Sequence, residues 1–476
     1  MKRRVAVVGA CCAVAALAGC ATPGPRIAPP SPVDASMLAG VGGVAAVSVD
    51  ARWWTRLGDP QLDALVDEAL RGSPGVAAAA ARVARAQAVA LAAGAALEPQ
   101  ATAGARASRQ RLSERDLVPP QAAGRTLNQG RLAVDLGYEL DAFGRARATR
   151  AAALGQAAAA EHELAAARLA LASAVARTYV HYDRTHRQLA IARESLAQRT
   201  AMLALTEQRV RAGLDTQVEV ETARGGVAQA ESELAQLTEQ LDLVRNQLAA
   251  LAGAGPGRGA ELREPALALG ALPAVPDTLP AELVARRPDV AARRALVTAA
   301  GAEVRAARAQ FYPNVNLAAF AGFQSIELGN LVGGGTRVWG VAPAVNLPLF
   351  DGGQLRGNLR ARDADYAAAV AAYDDAVLGA FREVADAVGS LRALDREQAA
   401  SHAALASLER AYELAMLRYR SGLANFLTVL VAQDRVLAQR RATVELDSRR
   451  AELAVNLYRA LGGGFDARPD ATERLE

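Results

Sequence analysis

The sequence predicts a mainly α-helical chain, a tandem repeat of very long helices, that also supplies four strands to a membrane β-barrel. Three observations carry this reading. The chain writes one plan twice, its longest segments keep a seven-residue apolar period, and each half holds two stretches of strict alternation.

The repetition is explicit. RVRAGLDTQVEV (209–220) returns as RYRSGLANFLTV (418–429), and GSPGVAAAAARV (72–83) returns as RRPDVAARRALV (286–297). LDAFGRAR (140–147) corresponds to LFDGGQLR (349–356), and NQLAALAG (246–253) to NLYRALGG (456–463). The order is kept, and the offset drifts only from 214 to 209. Residues 59–253 and 278–463 therefore read as two copies of one unit. A Gly, Pro and Ala-rich linker, 254–277, joins them, and a short tail, 464–476, follows. Each copy begins with a short helix (Gln61–Arg71; Pro280–Arg286). A second helix opens near Pro74 or Pro288, where proline's missing N–H costs nothing.

The longest segments fall at 143–251 and 352–461, each a very long helix, a short break and a second helix. In the first copy Val175, Tyr182, Leu189, Leu196, Leu203 and Val210 stand seven apart. In the second, Val384, Leu391, Gln398, Leu405, Tyr412 and Tyr419 do the same, with Gln398 alone breaking the apolar run. Strict sevens predict helices that supercoil left-handed around neighbours. The chain is 51% hydrophobic but only 4% aromatic, which suits long helices packed closely through small side chains. Gly213 and Gly422 sit where each long helix stops, and glycine supplies the left-handed conformation that ends a helix. The repeated phrases are thus the tips of two helical hairpins.

The strand-like stretches are 100–112, 127–141, 312–324 and 337–349. In the second, Leu132, Val134, Leu136, Tyr138 and Leu140 alternate with Arg131, Ala133, Asp135, Gly137 and Glu139. That is period two, with one apolar and one polar face. Their length suits transmembrane strands, and the alternation suits an outer-membrane barrel. Four strands cannot close such a barrel, and two chains would give a size filled by its own side chains. A channel therefore argues for at least three chains and twelve strands. The loops Glu114–Thr126 and Ser325–Thr336 are expected to face outside the cell.

The amino terminus carries a basic n-region, MKRR, and an apolar run from Val5 to Leu17 too short to anchor a helix across a bilayer. Leu17-Ala18-Gly19-Cys20 resembles a bacterial lipobox. Residues 1–19 then form a signal peptide, Cys20 carries covalent lipid including palmitate, and 20–58 is a lipidated extension. Ala21 favours the outer membrane. With Cys11 and Cys12 in the signal and Cys20 blocked, the mature chain has no free thiol, no disulfide and no cysteine metal site. Removing Lys2, Arg3 and Arg4 lowers the formal charge from +4 to +1, so the basic balance implies no nucleic-acid partner. Downstream of Cys20, Val76–Leu97 is the best candidate for a membrane helix, and Arg82 and Arg85 argue against it.

Enzymatic function finds no support. The four histidines, His162, His181, His186 and His402, show no ligand spacing, and no nucleophile elbow, zinc-protease motif or phosphate loop stands in a supporting context. No cofactor or metal is expected beyond the lipid on Cys20. The alternative is a periplasmic coiled-coil structural lipoprotein without a pore, which accounts for the heptads but not for the strands.

Several phrases together resemble outer-membrane factors of the TolC/OprM type, in the NodT-like branch of efflux lipoproteins. They are WW (53–54) before DPQLDALVDEAL, RRPDV (286–290), FYPNV (311–315), YELDAFGR (138–145), LPLFDGG (347–353) and RYRSGL (418–423), and the match spans essentially the whole mature chain. The resemblance implies a homotrimer with a twelve-stranded barrel and a helical tunnel across the periplasm. It implies a periplasmic adaptor and an inner-membrane pump of the RND type as partners, and outward conduction of cargo through a gated tunnel. It marks Arg209, Arg211, Gly213, Leu214, Arg418, Arg420, Gly422 and Leu423 as adaptor-docking tips. The family often places acidic gate residues just after the second tip, and this chain has Thr428 and Val431 there. Asp215, Glu219 and Glu221 stand near the first tip instead. Asp215, Glu219, Thr428 and Val431 are therefore the gate candidates, with an apolar constriction at Leu423 or Val431 equally open.

Overall fold

Within the described residues, both copies fold into a 22-residue helix, two strands, a 67-residue helix and a 35-residue helix, in that order. The computed structural model describes residues 50–115, 120, 122–268 and 287–465. The signal peptide, Cys20, most of the 20–58 extension, much of the linker, the helix expected at Pro280–Arg286 and all but the start of the tail lie outside the described residues. The first copy contains α1 (Pro60–Gly72), α2 (Pro74–Ala95), β1 (Gln100–Arg111), β2 (Thr126–Leu140), α3 (Arg145–Arg211) and α4 (Gln217–Leu251). A short helix α5 (Pro256–Ala260) follows. The second copy contains α6 (Pro288–Ala309), β3 (Asn314–Ser325), β4 (Arg337–Asn346), α7 (Gln354–Arg420) and α8 (Phe426–Ala460). α3 and α7 each have 67 residues, α4 and α8 each 35, and α2 and α6 each 22. At 1.5 Å per residue a 67-residue helix is about 100 Å long.

Two compact units emerge. One is built from Val83–Ala160 and Arg293–Tyr373, the other from the described parts of Val33–Arg82, Glu161–Ala292 and Asp374–Glu476.

The first unit holds the sheet. Its order is β1-β2-β3-β4, all antiparallel, leaving β1 and β4 as open edges. The register aligns Ala105, Leu132 and Phe323 across β1, β2 and β3, and Leu317 with Tyr138 and Pro343 across β3, β2 and β4. Every apolar row therefore falls on one face. That face is bare: Leu132, Val134, Leu136, Leu140, Trp339, Val341 and Val345 are all exposed, Trp339 by 79%. On the opposite face Arg131 pairs with Asp135 at 2.6 Å. β4 ends at Asn346, so Leu347 and Leu349, read as strand, lie just beyond it. Each long helix is launched by an aspartate. Asp141 accepts from Ala146 N and Arg147 N at 2.9 Å, and Asp351 accepts from Gly353 N at 3.0 Å and Leu355 N at 2.6 Å. These bonds satisfy donors that a helix start leaves open.

The second unit holds the largest core. Val175, Tyr182 and Leu189 of the heptad row are fully buried with Leu241 and Leu248 of α4. Gln398, the interruption in the α7 row, donates to Asp447 at 3.0 Å and accepts from Arg450 at 3.1 Å, so the polar side chain is satisfied where it falls. Trp53 is completely buried and stacks on Tyr458 with centroids 5.4 Å apart. Asp59 caps α1 and ties three segments together. It accepts from Gln61 N at 2.9 Å, Tyr179 Oη at 2.6 Å and Ala266 N at 2.8 Å. Burial, then the bond to Asp59, pushes the Tyr179 phenol far above its ordinary value, so it stays a donor. Arg287 of the RRPDV phrase is buried. It donates to Asp289 at 2.8 and 3.0 Å and to Glu383 at 2.8 Å, docking the start of α6 onto α7.

α2 is the one helix among the described residues that is long and apolar enough to cross a membrane by length and composition. It carries Arg82 and Arg85, which are costly at membrane depth, and buries Val76, Ala79 and Ala90 against the protein.

Asp59→Ala leaves two backbone donors and a buried phenol without their acceptor. The expected loss is about 2–4 kcal/mol, seen as a lower midpoint of helix melting in detergent by circular dichroism. An unchanged midpoint would show that the network contributes nothing net.

Candidate functional site at the paired helical tips

Both long helices end in the same hydrogen-bonded turn. Gly213 N donates to Val210 O at 3.0 Å and Leu214 N to Arg209 O at 2.9 Å. Gly422 N donates to Tyr419 O at 3.0 Å and Leu423 N to Arg418 O at 2.8 Å. This is the Schellman pattern, and it requires a left-handed residue at the glycine. Gly213 and Gly422 have φ of 69° and 73°. The next helix starts at once from a capping side chain. Thr216 accepts from Val218 N at 3.2 Å, while Glu219 reaches back to Thr216 N at 2.9 Å and to its hydroxyl. At the second tip Asn425 accepts from Thr428 N at 3.1 Å and Thr428 Oγ1 at 2.7 Å. Two of the gate candidates, Glu219 and Thr428, are thus occupied in capping their own helices. Those bonds hold the Glu219 carboxyl below its ordinary value.

The two tips are fastened to each other. Arg209 donates through Nε to Asp215 at 2.8 Å and through Nη1 to the carbonyl of Tyr419 at 3.1 Å. Its guanidinium lies 4.3 Å from the centre of the Tyr419 ring, close enough for a cation–π contact. The Tyr419 hydroxyl donates to Asp215 at 2.6 Å. Tyr419 is completely buried, among Met202, Ala223, Phe426 and Val429. The Arg209 and Asp215 side chains are only 12% and 9% exposed. Burial opposes the charge on Asp215. The hydrogen bonds from Arg209 and Tyr419, with the guanidinium's charge, outweigh it and hold the carboxyl below its usual range. Burial and the bond to Asp215 push the Tyr419 phenol up. The result is an arginine–aspartate–tyrosine lock joining hairpin 1 to hairpin 2.

The sequence reading placed Arg209 among the docking residues and Asp215 among the gate candidates. The structure draws both inward and brings them together. Arg211, Gly213, Leu214, Arg418, Arg420, Gly422 and Leu423 remain on the surface, with Leu214 64% and Leu423 71% exposed. Val218, Leu427 and Val431 extend that apolar surface along the starts of α4 and α8. Tyr419 was legible as a heptad position, but its hydroxyl partner, 204 residues away in sequence, was not. Among the described residues no group of three or more His, Cys, Asp or Glu side chains is placed to hold a metal ion.

The profile of the outer membrane efflux protein family matches residues 65–254 and 279–463. OprJ, an outer membrane protein of Pseudomonas aeruginosa, is 37% identical over 375 residues, covering 75% of this chain and 78% of that protein. The multidrug resistance outer membrane protein MdtP of Shigella flexneri is 34% identical over 430 residues, covering 88% of this chain and 87% of its own. Among solved structures, the outer membrane protein VceC of Vibrio cholerae superposes with a TM-score of 0.83 at 37% identity, over 88% of this chain and all of that one. The outer-membrane channel OprN gives 0.83 at 27% identity, over 93% and 99%.

The chain belongs to the outer membrane efflux protein family. It is an outer-membrane channel component of an efflux or export system, a transport protein and not an enzyme.

Asp215→Asn removes the charge that both Arg209 and Tyr419 bond. The expected cost to the lock is about 1–3 kcal/mol. Spin labels at introduced cysteines (Arg211→Cys, Ser421→Cys) should report a wider or broader tip separation in this variant by electron–electron resonance. The pH dependence follows from the lowered Asp215 value. The lock is at full strength above the ordinary carboxylate value of about 3.9 and is lost only as pH falls through the lower folded one. The label distance should therefore not change between about pH 5 and 8. A widening within that window would mean another group controls the tips.

Proposed function

We propose that three copies of this chain close a twelve-stranded barrel in the outer membrane, continued into the periplasm by their long helices as a tunnel. The observation that carries this reading is the sheet: an apolar face that runs across four strands, with hydrogen-bonding edges open at β1 and β4. In lipid each unsatisfied backbone group costs several kcal/mol, so edges must be joined, and four strands alone cannot join them. Leu91 of α2, 79% exposed, offers further apolar surface to a neighbouring copy.

Cys20 carries the lipid that anchors the amino terminus to the outer membrane. The tip residues Arg211, Leu214, Arg418, Arg420 and Leu423 receive a periplasmic adaptor, which couples the tunnel to an inner-membrane pump of the RND type. Cargo passes passively, and the Arg209–Asp215–Tyr419 lock holds the tips until docking or pump action separates them. Val431, exposed beside the second tip, remains a candidate lining residue of the closed entrance. Relatives named for multidrug resistance and for pyoverdine export support small organic molecules as the cargo class. A poreless spacer would leave the apolar sheet face without a partner.

The mass of the detergent-extracted mature protein, measured by light scattering and corrected for bound detergent, should be that of a trimer. A monomer that stays folded without detergent would remove the barrel. Cys20→Ser should leave the protein membrane-embedded on extraction, and release into the soluble fraction would favour a lipid-held spacer. Leu423→Asp should abolish efflux while trimers persist. Normal efflux in that variant would end the docking role of the second tip.

A further inference from the structure

The bare apolar face of the sheet carries three charged side chains among its strand residues, and all three are arginines at the loop end. Arg109 and Arg111 lie at the end of β1, and Arg337 begins β4. The register puts them on the same face as Leu132, Val134 and Trp339, and all three are exposed. The residues directly across from them are Asn128, Thr126 and Phe323, so no acid opposes them in the ladder. Arg111 comes within 3.8 Å of Glu114, but both side chains are more than 70% exposed, and such a pair holds weakly. The opposite face differs: there Arg131 is matched by Asp135 at 2.6 Å and Glu139 by Arg145 at 2.6 Å.

The height of these arginines follows from the strands. The apolar rows run from Leu140 up to Leu132, about 27 Å along the strand at roughly 3.4 Å per residue. Tilting shortens this somewhat, close to the roughly 25 Å apolar band of an outer-membrane barrel. Trp339, 79% exposed, stands two residues below Arg337, where an aromatic belt meets the headgroups. The arginines therefore lie just above the acyl chains, on the outward surface.

This step rests on the trimeric barrel described above. Closing that barrel sets β4 of one copy beside β1 of the next. Both loop ends lie at the same rim, so Arg337 of one copy joins Arg109 and Arg111 of its neighbour at each of three seams. Three guanidinium forks over an apolar wall match a ligand with phosphates at its head and acyl chains below, since arginine binds phosphate bidentately. We propose that each seam is a binding site for a phosphorylated glycolipid of the outer leaflet, its phosphates on Arg109, Arg111 and Arg337 and its chains along Trp339 and Val341. The site would fasten neighbouring copies at their outer rim.

The test is native mass spectrometry of the full-length protein in detergent. The probes are a bis-phosphorylated acylated glucosamine disaccharide and its fully dephosphorylated form. The wild-type trimer should retain up to three phosphorylated lipids. The combined variant Arg109→Gln, Arg111→Gln, Arg337→Gln should bind them at least about tenfold more weakly, because several charge-assisted bonds are lost. The dephosphorylated lipid should bind both proteins equally poorly. A variant that stays trimeric and keeps wild-type affinity would overturn the lipid site and leave the barrel standing. Displacement of the lipid by equimolar inorganic phosphate would assign the cluster to free anions and also overturn it. A wild-type spectrum showing only monomers would overturn the barrel, and the seam site with it.

Discussion

A sheet that is apolar on its outer face and unpaired at both edges has no stable existence alone in water or in lipid. In water the exposed face, with Leu132, Val134, Trp339 and Val341, would aggregate. In lipid the open edges of β1 and β4 would leave backbone groups unbonded. The trimeric barrel proposed above would answer both problems together, adding strands from further copies inside an apolar layer. Asp141 and Asp351 start α3 and α7 a few residues beyond the ends of β2 and β4, so each long helix is launched from the sheet with its first donors satisfied.

At the other end of those helices the chemistry changes from apolar burial to charge. The largest core of the helical unit is built from Val, Leu, Tyr, Trp and Ala, with polar contacts such as Gln398–Asp447 set between the unit's helices. At the tips a buried arginine and aspartate are bonded to each other and to Tyr419. A buried ion pair adds little net stability, yet it is strongly disfavoured to break by halves. Such a contact suits a joint that must be either fully made or fully released. It is also insensitive to ordinary changes of pH, because every partner of Asp215 stabilises its charged form.

The duplication is close in length but not in chemistry. Both tips use the same glycine turn, yet the first caps α4 with a threonine–glutamate box and the second caps α8 with a single asparagine. The aspartate of the lock comes only from the first tip and the tyrosine only from the second. Asp215 has Ala424 as its counterpart, and Tyr419 has Val210. Divergence between the copies is thus what allows one hairpin to hold the other.

Sequence alone determined what is periodic or local. The two-residue alternation of 131–141 specifies the apolar face, the seven-residue rows specify the seams, and Gly213 and Gly422 specify the turns. Each depends on neighbours a few positions away, so the residues themselves record it. Sequence also displayed Arg209, Asp215 and Tyr419, but as a tip, a gate candidate and a heptad position, with nothing to join them. Only the tertiary structure decided that these three meet, that Arg211 and Arg418 stay outside, and that Glu219 and Thr428 serve as caps. The reason is geometric: a contact between residues about two hundred positions apart depends on how two hairpins pack, and no local period encodes that.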